Sequence, residues 1–203
     1  MTDTDTPCGW APKTDALYRR YHDEEWGVPI YDSRSLWEKL QLDGMQAGLA
    51  WITILRKRES IRAEFDDFDP HKIARWDEAR IQRALQNPGI IRSRIKINAC
   101  INNARIFLKH TAEGEDFSDW CWSFVDHAPI LSALTHYKSG PTQTERSVAL
   151  SKALKKRGYK FAGPVIVYAW MQAVGLYNDH EIGCPRRAEI AAMTTTSPSN
   201  ADL

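Results

Sequence analysis

The chain repeats one signal along its length: a capping residue, an apolar stripe with helical spacing, then a glycine stop. Ile97, Ile101, Ala104 and Leu108 form the clearest stripe, which Gly114 ends. Ser35 and Glu38 have capping-box spacing ahead of a short helix whose expected stop is Gly44, and a second helix is expected over 46–65. Asp69-Pro70 reads as N-cap and first helical residue, and Asp77 as another start. Thr142 and Glu145 repeat the capping-box spacing before 146-RSVALSKALKKRG-158, and Pro164 opens a last long helix to Gly175. No segment alternates with period two between hairpin turns, so the expected class is all-α.

With 203 residues, 43% of them hydrophobic, the chain can fill one core or two small lobes. Residues 1–190 are expected to form a single helical unit. The loop around 137-YKSGPTQ-143 is the candidate boundary between lobes, and 191–203 has the composition of a disordered tail. A net charge of +1 excludes an overall field strong enough to hold nucleic acid. Two local runs remain: Arg92, Arg94, Lys96, Arg105 and Lys109, then Arg146, Lys152, Lys155, Lys156, Arg157 and Lys160. Each alone reads as a solvated helix face. No apolar run reaches membrane-spanning length, and the polar start 1-MTDTDTP-7 lacks the apolar core of a signal peptide, so a cytoplasmic location is expected.

The four cysteines are widely scattered, which favours thiols or metal ligands over a disulfide framework in a reducing compartment. His180 and Cys184 have the spacing of half a tetrahedral site, one helical turn or one tight loop apart. Cys8 and His22 could supply the other half only if folding joins the two ends. Spacing alone favours an ordinary thiol and a surface histidine, with a Cys8–Cys184 disulfide as a further option.

One residue resists the core pattern. In 40-LQLDGMQAGLAWITIL-55, Asp43 is a carboxylate in an apolar run, where a charge is costly unless paired. The segment 9–27 carries Trp10, Tyr18, Tyr21 and Trp26, with Tyr18, Tyr21 and His22 on one helical face. Such stripes are usually core. Together with a carboxylate, they would also suit a flat cationic ring, because indole and phenol faces attract cations.

Many blocks, in order, match one family. The chain closely resembles 3-methyladenine DNA glycosylase I through 8-CGW-10, 21-YHDEEWGVP-29, 46-QAGLAWITIL-55, 57-KRE-59, 88-PGIIRSRIKI-97, 121-CWSFV-125, 151-SKALKKRGYKFAGP-164, 171-MQAVGL-176 and 178-NDHEIGC-184. The resemblance implies an all-α fold of the helix-hairpin-helix glycosylase superfamily. It implies one structural zinc ion per chain on Cys8, His22, His180 and Cys184, against the bland reading of the spacing. It also implies a base pocket lined by Trp10, Tyr18, Tyr21, Trp51 and Asp43, with Asp43 as the catalytic carboxylate. The turn 157-RGYKFAGP-164 resembles the family's hairpin, so Lys160, Phe161, Ala162 and Gly163 are expected at a DNA phosphate. Lys152, Lys155, Lys156 and Arg157 would surround it, and Gly48 and Leu49 would lie near the gap left by an extruded nucleotide.

Three departures accompany the match. The family carries glutamate where this chain has Asp43, shorter by one methylene, roughly 1.5 Å. Ala169 stands where a small hydroxyl residue is usual, and 185-PRRAEIAAM-193 replaces a cysteine- and glycine-rich ending. The implied activity is hydrolytic release of 3-methyladenine from alkylated double-stranded DNA by a monofunctional enzyme acting as a monomer, with the base flipped out of the stack. Asp179, near the position where other superfamily members place a catalytic aspartate, is not expected to take that role here. The alternatives are a non-catalytic binder of damaged DNA and, more distantly, a zinc-dependent hydrolase. Four protein ligands would leave no open position on zinc for the latter.

Overall fold

The computed structural model describes residues 8–195. Asp15 opens α1 (Ala16–Glu24) by accepting the Tyr18 N–H. Asp32 opens α2 (Ser33–Gln46) in the same way: its carboxylate accepts both the backbone N–H and the hydroxyl of Ser35, at 2.8 and 2.7 Å. A carboxylate is the stronger acceptor, so the helix starts one turn before the box expected at Ser35 and Glu38. Gly44 does not end α2 either. A Cβ there would lie 3.2 Å from the Cβ of Phe161, so this glycine admits a neighbouring turn, and the stop is Gly48 at φ +77. Lys96 completes that end by donating to the carbonyls of Met45 and Ala47 at 2.8 and 2.7 Å.

Beyond the turn lie α3 (Trp51–Glu64), the short α4 (Pro70–Ile73), α5 (Glu78–Gln86), α6 (Arg94–Ala112) and α7 (Phe117–Trp122). Asp69 and Asp77 cap α4 and α5 as their sequence context predicts. Thr144 caps α8 (Glu145–Lys156) through a capping box with Ser147, two residues later than the expected Thr142. Gly163 precedes α9 (Pro164–Ala173), and α10 (Pro185–Thr195) continues helical structure through 191–195, where a tail was expected. Residues 196–203 of that expected tail lie outside the described ones. Among the described residues the only strand pairing joins β1 (Ile130–Leu131) in parallel with β2 (Tyr177–Asn178), so the fold is almost wholly α-helical. No described helix is long and apolar enough to cross a membrane.

α2 runs through the middle, packed on α3, α6, α7 and α9. Leu36, Trp37, Leu40, Leu42 and Met45 are buried on it, and the Trp170 indole of α9 donates to the Leu36 carbonyl at 3.1 Å. The turn 157–163 between α8 and α9 rests on α6. Asn102 donates to the Gly158 carbonyl at 3.0 Å, and buried Asn103 bonds both backbone groups of Lys160 and the Gln41 amide at 2.8–3.1 Å. One side chain therefore ties α6, α2 and this turn together. Asn103→Ala leaves those groups without a partner and is expected to cost about 1–3 kcal/mol in urea unfolding.

Candidate active site

Folding gathers the two chain ends. Cys8, His22 at the end of α1, and His180 and Cys184 on the loop before α10 are all buried, with their ligand atoms within 4.8 Å of one another. His180 Nδ1 lies 3.5 Å from each sulfur, and His22 Nε2 lies 3.6 Å from the Cys184 sulfur. The other ring nitrogens are engaged: His180 Nε2 lies 3.0 Å from the Trp26 carbonyl and His22 Nδ1 lies 2.8 Å from the Asp23 carboxylate. Donation from these nitrogens leaves each facing nitrogen as a lone pair, the tautomer that a metal ion requires. The shared Cys8 thiol hydrogen bond, followed by those of the histidines, drives Cys184 toward thiolate, while that same bond and burial hold the proton on Cys8. Gly27 makes room for this packing, since a Cβ there would meet the His180 ring at 3.1 Å. These four side chains can hold a metal ion.

Aromatic rings lead from the cluster to a cavity of about 280 Å³. Trp10 has ring centroids 5.3 Å from His22, 4.9 Å from Trp26, 5.3 Å from Tyr18 and 6.3 Å from Tyr21, and Tyr21 lies 5.3 Å from Trp51. All of these aromatic residues except His22 line the cavity, so the structure places Trp10, Tyr18, Tyr21, Trp51 and Asp43, the set that the resemblance implies, around one space. The indole N–H groups of Trp10 and Trp51 are buried without a hydrogen-bond partner in the protein. Asp43, in the last turn of α2, is 4% exposed. A helix C-terminus disfavours an anion, and burial pushes its carboxyl pKa up.

The answering charge is Lys39, one turn earlier, whose ammonium donates to both Asp43 oxygens at 2.7 Å. It also sits 4.1 Å from the centroid of the Trp51 ring. Burial lowers the Lys39 pKa, and the Asp43 charge opposes that shift. Sequence reading missed this lysine although its i, i+4 spacing was visible; Gln46, at i+3, was missed likewise and lines the same cavity. Loop residues Leu134, Tyr137 and Gly140 close another side. That loop is held by Glu181, which accepts the N–H groups of Tyr137 and Gly9 at 2.9 and 3.1 Å. Asp179 also reaches the wall, but it already accepts from Ser132, from Tyr168 at 2.5 Å and from Gln172 at 2.6 Å. Its bonds fix neighbouring side chains.

A second depression adjoins Asp43 and is lined by Gly48, Leu49, Val165, Ile166 and Ala169. It joins the α2–α3 turn to the start of α9. Lys152, Lys155, Lys156 and Lys160 are exposed on α8 and the turn. Arg157 instead bonds Glu115 at 2.5 and 2.6 Å and lies 3.5 Å over the Trp120 ring, so it anchors the turn. Phe161 takes φ +53, and Ala162 is held by the Ser151 hydroxyl on its carbonyl at 2.6 Å. Gly163 has no side chain to cap α9, which leaves that helix's first N–H groups available to an anion.

The family model described as methyladenine glycosylase matches residues 10–187. DNA-3-methyladenine glycosylase 1 of Escherichia coli K12 is 54% identical over 177 residues, which is 87% of this chain and 94% of the relative. A crystal structure of 3-methyladenine DNA glycosylase I superposes with TM-score 0.87 at 53% identity, covering 89% of this chain and 98% of that one. A structure of the Staphylococcus aureus 3-methyladenine DNA glycosylase I, solved for the basis of its 3-methyladenine recognition, gives TM-score 0.85 at 38% identity, covering 89% and 95%. On sequence and fold together, this chain belongs to the methyladenine glycosylase family.

Proposed function

We propose that the protein is a monofunctional DNA glycosylase that hydrolytically releases 3-methyladenine from alkylated double-stranded DNA. The observation that carries this reading is the ring-walled cavity with one buried carboxylate, Asp43, on its wall. A 3-methylated adenine is positively charged within the nucleotide, so the base is already a good leaving group and needs no protonation. Stacking among Trp10, Tyr18, Tyr21 and Trp51 favours a cationic ring by about 0.5–2 kcal/mol per favourable face. Asp43 adds an acceptor for the exocyclic amine. The unpaired indole N–H groups of Trp10 and Trp51 are unspent donors beside the same space. Water then attacks the sugar carbon as the base departs. Differential binding of the flipped cation supplies both selection and rate.

The DNA path follows from the surface beside the cavity. Lys152, Lys155, Lys156 and Lys160 face solvent around the α8–α9 turn, which we read as the family's helix-hairpin-helix element. The free N–H groups at the start of α9 receive a phosphate, and the exposed Leu49 beside Gly48 fills the place of the flipped nucleotide. Arg157 supports the turn from behind.

Zinc is the ion that the ligand set fits. Tetrahedral zinc with about 2.3 Å bonds to sulfur and 2.0–2.1 Å bonds to nitrogen separates S from N by about 3.6 Å, and the cluster shows 3.5 and 3.6 Å. Four protein ligands complete the coordination, so the ion's part is to hold Trp10 and α1 against the C-terminal loop. Elemental analysis of the purified protein is expected to find one zinc per chain. Cys184→Ser is expected to lose the ion and lower the melting midpoint by about 10 °C, given about 2–4 °C per kcal/mol for a domain of this size. Zinc-free protein with an unchanged midpoint would remove the metal from the fold.

Asp43→Asn keeps the side chain's shape and removes its charge. Release of 3-methyladenine from methylated DNA is expected to fall about 100-fold, the loss of a charge-assisted hydrogen bond of roughly 2–3 kcal/mol. Equal release by both proteins would take Asp43 out of recognition, and DNA binding without any release would favour the non-catalytic binder. For the surface, glutamine at Lys152, Lys155 and Lys156 together is expected to flatten the salt dependence of DNA affinity. The slope of log K against log salt should drop by about 0.9 for each phosphate that is no longer neutralised. An unchanged slope would place the DNA elsewhere.

A further inference from the structure

Lys39 occupies the wall of the slot, yet stacking and the Asp43 acceptor account for base recognition without it. Its ammonium is held three ways: by each oxygen of Asp43 at 2.7 Å and by the Trp51 face at 4.1 Å. The side chains of the pair are 13% and 4% exposed. Lysine N-terminal to aspartate is the less favourable order for a helical i, i+4 pair, so packing rather than the helix fixes this pairing. At Asp43 the wall of the slot thus carries a compensated charge rather than a bare carboxylate. We propose that Lys39 is a specificity-determining residue: it stays on Asp43 when a base binds, cancels the charge of that carboxylate, and lets neutral purines enter beside cationic ones.

This deepens the base-slot reading and rests on it. Two observations favour an ammonium that stays. The cavity of about 280 Å³ is open with the pair in place, close to the roughly 300 Å³ at which small-molecule sites begin. Lys39 also borders a further cavity, on the side of Ser35 and Leu42, into which it could retreat, and the carboxylates there are already taken: Glu25 by Arg58 and Glu38 by Arg62. An ammonium moved there would exchange its three partners for carboxylates that each already hold an arginine. Leaving Asp43 would also strand a buried anion unless the entering ring were itself charged. With the pair intact, the charge preference of the slot comes from its ring faces and from Asp179, whose hydrogen bonds come from uncharged groups, and Asp43 contributes its remaining lone pairs as hydrogen-bond acceptors to either class of base.

The test uses two ring compounds that differ in charge: 3,9-dimethyladeninium, whose positive charge is fixed by methylation, and neutral 9-methyladenine. Each is titrated into wild-type protein, Lys39→Met and Lys39→Arg, following tryptophan fluorescence, and the quantity read is the ratio of the two dissociation constants. Lys39→Met is expected to raise the preference for the cation at least about tenfold by baring the carboxylate, with the neutral ring changed by less than about threefold. Lys39→Arg retains the charge and should keep the wild-type ratio; it carries the test if the methionine variant fails to fold. A ratio that Lys39→Met leaves unmoved overturns the proposal. That outcome includes the case in which both affinities rise together, the pattern of an ammonium that vacates the slot for every ligand alike. A raised ratio in Lys39→Arg overturns it as well. Failure of the underlying reading looks different, because neither ring would then quench fluorescence in any of the three proteins, and both proposals fall together.

Discussion

The clasp between the two chain ends is the constraint on which the site depends. Cys8 and His22 stand before and at the end of α1, while His180 and Cys184 follow β2, so no local preference brings them together. Once joined, they fix more than themselves. Trp10 packs on His22 and Trp26, Trp26 gives its carbonyl to His180, and the rings of Tyr18 and Tyr21 follow on the same helix. Glu181, within the ligand loop, holds the Tyr137 loop and Gly9 together. Three walls of the cavity are therefore set by one cluster, whose own side chains touch none of its space.

Tyr168, Ala169, Gln172 and Ala173 of α9 line a further side, and the last wall comes from α2, where the local rules conflict. A carboxylate in the last turn of a buried helix is opposed by desolvation and by the helix dipole. Core packing would be better served by an apolar residue. The chain instead keeps the charge and supplies a cation one turn away, so the anion is not left unpaired and polar chemistry stays on the cavity wall. Local inconsistency of this kind, compensated within the structure, is what a ligand site looks like against a well-packed background.

Much of this is legible in the sequence and some is not, for identifiable reasons. Helix starts at Asp69 and Asp77 and at Pro164 are readable because the signal is local: one side chain, or one missing N–H, decides it. Ser35 fails as a cap because a stronger acceptor, the Asp32 carboxylate, stands one turn earlier, and Thr142 because Thr144, with the same hydroxyl, has Ser147 three residues on to complete a reciprocal box. Gly44 misleads for a tertiary reason. Its missing Cβ makes room for Phe161, far away along the chain, and no helix-stop rule sees that. The cysteines and histidines of the cluster are visible only as residue types, and their spacing across the chain carries little, because only the fold brings the two ends together.

Lys39 shows the converse error. Asp43 raises the question of what could compensate a buried charge, and the answer lies four residues before it, at a spacing every helix imposes. The aromatic rings nearby point to a cationic ligand instead. A cation is indeed required, but the protein supplies one itself. A carboxylate in an apolar helix should therefore be tested first against its own i−4 and i+4 neighbours, since an intramolecular partner has no translational entropy to lose and is present before any ligand arrives. Only the acceptor capacity left over after that pairing is available for recognition. In this chain that remainder is set by how tightly Lys39 holds Asp43 against the Trp51 face, and under the proposed function it is what an entering base would meet.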